Sequence, residues 1–170
     1  VTLSGTSASI SGKGATASKG VVTVASAGNY SFKGTLTEGQ IIVDTKDDNP
    51  VRIILNGVDI TTAKSSPIYI KNAQKVIVVL ADNTTNKLTD GTTYTYDDAT
   101  EQEPNATIFS KEDLTIYGNG SLTINANFQD GIGSKDGLVI KSGNIMVNAA
   151  DDAIRGKDYL VIQGGTLNLT

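Results

Sequence analysis

The 170-residue sequence contains no cysteine, no histidine and no tryptophan, and has only three prolines and two arginines, Arg52 and Arg155. Without cysteine there is no disulfide. Without histidine as well there is no usual zinc site, no haem ligated through either residue and no histidine-based triad. What remains is carboxylate, amide, hydroxyl and lysine chemistry, which suits calcium better than transition metals. No apolar run approaches the roughly 18 residues that a membrane-spanning helix needs, so no membrane span is expected. Fourteen Lys+Arg against 18 Asp+Glu leave a net charge of −4, an acidic balance that argues against nucleic acid as a partner. The sequence starts at Val1 and shows no charged segment followed by an apolar one, so the expectation is that any export signal peptide is already gone from this chain. An acidic, cysteine-free, Thr/Asn-rich composition fits a bacterial protein that is secreted or held at the cell surface.

What is present is self-similarity. Ile108-Phe109-Ser110-Lys111-Glu112-Asp113-Leu114-Thr115-Ile116 is echoed by Ile132-Gly133-Ser134-Lys135-Asp136-Gly137-Leu138-Val139-Ile140, and again by Ile154-Arg155-Gly156-Lys157-Asp158-Tyr159-Leu160-Val161-Ile162. Looser copies lie upstream at Ile68-Tyr69-Ile70-Lys71 with Val76-Ile77-Val78, and at Ile53-Ile54-Leu55. Inside each copy the apolar residues alternate: Leu114 and Ile116, then Leu122 and Ile124 after the corner Gly118-Asn119-Gly120. That period of two means strands, and repetition at ~22 residues means stacked layers. The expectation is an all-β parallel β-helix solenoid with three short strands per ~22-residue turn. A leucine-rich repeat would need a helical period, which is missing. A β-sandwich would give no reason for the same triplet to return at a fixed interval. Residues 1–38 are expected to be an N-terminal cap with the first strands, and 39–170 the solenoid. Residues 89–104 are expected to form a loop insertion, and the C-terminal end is expected to be open, either truncated or stacked on another chain.

Stacking brings equivalent side chains about 4.8 Å apart. Lys111, Lys135 and Lys157 then form one file, and Glu112, Asp136 and Asp158 the next. Like charges at that spacing repel, so the acidic file is either half of a surface ion-pair ladder or, through Asp136 and Asp158, a set of oxygen ligands for a cation. Asp130, Asp151 and Asp152 have no lysine beside them in sequence. They are candidate Ca2+ ligands, the alternatives being raised carboxyl pKa values or solvated side chains. Asp44, Asp47 and Asp48 make a weaker cluster of the same kind. Tyr94 and Tyr96, on the loop, are candidate apolar contacts for a sugar ring with a hydrogen-bonding tip.

As a set, Ile108 to Ile116, Asp130-Gly131-Ile132-Gly133-Ser134-Lys135-Asp136-Gly137-Leu138 and Asp152-Ala153-Ile154-Arg155-Gly156-Lys157-Asp158 resemble a bacterial family of secreted carbohydrate-binding proteins. Gly39 to Asp44 and Leu55 to Ile60 add to the resemblance, which covers essentially the whole chain. It implies a right-handed parallel β-helix similar in shape to pectate lyases, with calcium, cellulose and polygalacturonate as ligands. Combined with the residue reading, it makes the expected function non-catalytic and calcium-assisted recognition of plant cell-wall polysaccharide through Lys111, Lys135, Lys157, Arg155, Tyr94 and Tyr96. Two alternatives stand beside it. One is a calcium-dependent lyase with Arg155 or a lysine as base. The other is a fibre subunit that self-associates through the solenoid ends.

Overall fold

Runs such as Ile53-Ile54-Leu55 and Leu138-Val139-Ile140 place branched residues on alternate sides of an extended chain, and the inward side can be buried only by packing strand on strand. The computed structural model describes residues 1–96, 98 and 100–170; Asp97 and Ala99, within the expected loop 89–104, lie outside the described residues. Among the described residues there are nineteen strands, and no helix is long and apolar enough to cross a membrane. The first seven are β1 (Thr2–Gly5), β2 (Ser7–Ser9), β3 (Ala15–Ser18), β4 (Val21–Val24), β5 (Gly28–Leu36), β6 (Gln40–Asp44) and β7 (Val51–Thr61). Next come β8 (Ile68–Asn72), β9 (Val76–Leu80), β10 (Thr85–Thr89), β11 (Ala106–Ser110), β12 (Leu114–Gly118) and β13 (Ser121–Ala126). The last are β14 (Asp130–Ser134), β15 (Gly137–Ile140), β16 (Asn144–Ala149), β17 (Ile154–Gly156), β18 (Tyr159–Ile162) and β19 (Thr166–Leu169).

The sheet topology corrects the expected right-handed parallel β-helix solenoid with three short strands per ~22-residue turn. The strands form two sheets, one of 12 and one of 7 strands. The reason lies in β7, which is eleven residues long. Its one edge pairs with β5 along nearly its whole length, while the other takes β9 at Val51–Leu55 and β10 at Asp59–Thr61. Two arms, β9-β12-β15-β18 and β10-β13-β16-β19, therefore leave a single strand and belong to one sheet that bends there. Antiparallel pairs β1–β2 and β3–β4 at the N-terminal end make both sheets mixed.

The bend is built from two residues. Gly57 has φ +79°, a left-handed conformation that favours glycine. The buried Asn86 sits against it: its Oδ1 accepts from the backbone N–H of Gly57 (2.9 Å) and Val58 (3.1 Å), and its Nδ2 donates to the Ser121 carbonyl (3.0 Å). One amide thus satisfies backbone groups that the parting of β9 and β10 would leave unpaired.

The repeats pair as their spacing predicts. Ile108 lies beside Ile132 and Ile132 beside Ile154; Leu114, Leu138 and Leu160 form a second file, and Ile124, Val147 and Leu169 a third. As far as Ile132, Leu138 and Val147 these files, with Val22, Ile41, Ile53 and Ile68, make one continuous core, while Leu160 and Leu169 at their last step are exposed. Each fully buried aliphatic side chain adds about 1.5–3 kcal/mol.

Candidate functional site

In the seven-stranded sheet, Ile41, Val43, Ile68, Ile70, Ile108 and Ile132 face the core. The residues between them face the other way. Register places Ile42, Tyr69, Phe109, Gly133 and Arg155 side by side across β6, β8, β11, β14 and β17. Tyr69 and Phe109 meet edge to face, centroids 5.8 Å apart, and with Ala106 form a second small apolar cluster outside the main core. Lys71 Nζ lies 5.3 Å from the Tyr69 ring centroid. Burial, followed by the charges of Glu101 and Glu103, pushes the Tyr69 hydroxyl up to about 12, so it stays neutral at ordinary pH.

A cleft of about 710 Å³ opens on this face. Phe109, Gly133 and Arg155 line it from the sheet, Lys135 and Lys157 from the strand ends, and Thr100 to Glu103 from the segment between β10 and β11. A neighbouring hollow of about 340 Å³ takes in Tyr69, Lys71, Tyr96 and Lys64 and shares Glu101 and Glu103 with the cleft. A side chain at position 133 would begin to fill the cleft: its Cβ would stand 3.2 Å from that of Ala106.

The lysine file forms because each lysine follows a strand and its N–H continues the ladder: Lys111 to Ile70, Lys135 to Ser110 and Lys157 to Ser134, at 2.9–3.0 Å. Lys135 and Lys157 line the cleft; Lys111 reaches its edge through Glu103. The ion-pair ladder between this file and the acidic one does not form among the described residues. Glu103, on the covering segment, meets the lysines instead, 2.5 Å from Lys135 and 3.9 Å from Lys111. Glu112 and Asp136 lie near enough that burial and the charges of Asp136 and Asp113 raise the Glu112 pKa. Neither Asp136 nor Asp158 lines the cleft.

Asp130 is buried, and Arg155 Nη2 lies 2.7 Å from its Oδ2; the Asp152 N–H donates to its Oδ1 at 3.3 Å. Burial raises its pKa, with Arg155 opposing that shift. Asp151 and Asp152 are exposed. Among the described residues no group of three carboxylates converges as a metal site. Asp130 Oδ2 is buried and accepts no well-formed hydrogen bond, so its ion pair with the Arg155 guanidinium is the contact that positions that arginine among the described residues.

The loop tyrosines serve the loop itself. Tyr94 donates to Asp90 Oδ2 (2.6 Å) and stacks on Phe128 at 4.4 Å, outside the cleft. Tyr96 donates to the Pro104 carbonyl (3.0 Å) and lines the smaller hollow. Buried Asp90 also accepts from Thr107 Oγ1 (3.1 Å) and the Asn127 N–H (2.5 Å), which pins the start of the segment to β11 and to the chain after β13. The sequence reading missed Phe109, Gly133, Glu101 and Glu103. Phe109 was visible as an outward aromatic, one residue from Ile108 and level with Tyr69; nothing local marks Glu103 as facing Lys135.

The family described as carbohydrate-binding domain-containing protein matches residues 18–170. A curated relative of that description from Acetivibrio thermocellus is 45% identical over 136 residues, 80% of this chain. The chain spans about half of that relative's length, 48%. A solved structure described as the polysaccharide lyase-like protein from C. thermocellum, in a gadolinium derivative, superposes with a TM-score of 0.85 at 38% identity. The match covers 93% of this chain and 75% of that one.

Proposed function

The chain belongs to the family of carbohydrate-binding domain-containing proteins, and from that premise we propose that its cleft beside β11, β14 and β17 holds an acidic plant cell-wall polysaccharide, polygalacturonate being the type. The observation that carries this is the convergence of Lys135, Arg155 and Lys157 on one cleft with Phe109 in its lining. Uronate carboxylates would meet Lys135 and Lys157, spaced by one strand step of about 4.8 Å, while the less polar face of a sugar ring would lie toward Phe109. Arg155 keeps its orientation through Asp130, which acts as a positioning residue.

The net charge of −4 opposes a polyanion at long range. At physiological ionic strength the Debye length is about 8 Å, so the local cations govern the encounter. A charge pair 4 Å apart is worth about 1 kcal/mol in water and about 4 kcal/mol at an effective dielectric near 20. Local cations of this kind would hold the polymer without a bridging calcium, and a protein that meets such a polymer would work outside the cell.

Calorimetric titration of oligogalacturonate, beside a cello-oligosaccharide and with or without EDTA, tests the reading. Binding of the acidic ligand is expected in EDTA, together with a loss of roughly fivefold or more for Lys157→Ala. Absence of binding to the unmodified protein would overturn the proposal. Binding that disappears in EDTA would restore a calcium bridge to it.

A further inference from the structure

We propose that Glu103 is an internal stand-in for a ligand carboxylate, occupying the Lys111–Lys135 pair so that an acidic saccharide must displace it. This rests on reading the cleft as a site for acidic saccharide. The geometry is that of a bridge: Oε1 faces Lys135 at 2.5 Å and Oε2 faces Lys111 at 3.9 Å. Lys157 continues the same file one strand further on and makes no ion pair among the described residues. The file is therefore divided, with two cations engaged by the protein's own carboxylate and one left open.

Glu103 is held in place by its neighbours. Pro104 follows it and is buried, and the Pro104 carbonyl accepts from Tyr96. The Thr95 N–H is bonded to the Lys64 carbonyl at 2.9 Å. A tethered carboxylate at this position competes at high effective concentration with any carboxylate arriving from solution. The pair is only partly screened from water, with side chains about a third exposed, so the competition is moderate and reversible. Neutral sugars would have no reason to displace Glu103, which makes it a specificity-determining residue: it raises the threshold for acidic ligands and leaves neutral ones unaffected. Glu101 lines the same cleft without pairing to a lysine among the described residues, and so serves as the control for a general field effect.

Glu103→Gln and Glu101→Gln are compared with the unmodified protein in oligogalacturonate titrations. Lysine acylation rates, read by peptide mass spectrometry, are measured in parallel without any saccharide. The expected result is roughly fivefold tighter binding for Glu103→Gln, less than half that gain for Glu101→Gln, and faster acylation of Lys135 in Glu103→Gln alone. Equal gains in the two variants, or Lys135 acylation unchanged by Glu103→Gln, would overturn the inference. If no protein binds the saccharide, the functional reading falls while the acylation rates still decide whether Glu103 occupies the lysine pair.

Discussion

Asp90 and Asp130 are both buried carboxyls, and the protein neutralises them differently. Asp130 is matched by the guanidinium of Arg155, whereas Asp90 is surrounded by hydrogen-bond donors, Tyr94, Thr107 and Asn127, and pairs with no cation among the described residues. Burial outweighs those donors and raises the Asp90 pKa above its ordinary 3.8. Just above 3.8 the unfolded chain has therefore released this proton while the folded chain still holds it. Stability from this group is present at low pH and lost as pH rises through the raised value. Melting temperatures measured through that window should fall more for the unmodified protein than for Asp90→Asn; identical slopes would show that the carboxyl is not shifted. The sequence marked Asp130 because acids gather around it, and passed over Asp90, which stands alone in Thr89-Asp90-Gly91. Burial of a single carboxyl depends on what folds over it, and no spacing rule carries that.

At the scale of elements, β7 decides the architecture. A strand of eleven residues outlasts either partner on its second edge, so β9 and β10 divide it and Asn86 fills the parting. Leaving the buried Val58 N–H unpaired costs about 1–3 kcal/mol before any relaxation, and the part-buried Gly57 N–H and Ser121 carbonyl add smaller amounts. Asn86→Ala should therefore lose at least about 2 kcal/mol in urea denaturation, and a loss below about 0.5 kcal/mol would remove the role assigned to it. The alternation in Ile53, Leu55, Val58 and Ile60 was readable, including the switch of phase at Asn56-Gly57. Its consequence, two arms of one sheet in place of separate sheets, was not. The repeat period predicts which strand pairs with which copy, and says nothing about whether neighbouring arms share a strand.

For the whole molecule, layers stack on one another and each is buried by the next. In this chain β18 and β19 have a neighbour on one side only, and Leu160, Ile162 and Leu169 are exposed although their equivalents in β15 and β16 are buried. Local opening should thus be easiest there and hardest near β7, β9 and β12. Hydrogen exchange followed by mass spectrometry is expected to show β18 and β19 exchanging well before β12. Equal protection would mean that the molecule opens as one unit.

The sequence by itself determined that the protein is all-β, which residues face inward, and which lysine stands beside which. Those properties follow from a period of two within strands and a fixed interval between copies, both local to the chain. Only the tertiary structure decided that the strands form two sheets, with two arms of the larger one joined through β7, that Arg155 is matched to Asp130, and that Glu103 crosses the cleft to Lys135. Each of these depends on where an irregular segment or an overlong strand comes to rest. That is settled by packing and charge between residues far apart in sequence, for which the repeat holds no record.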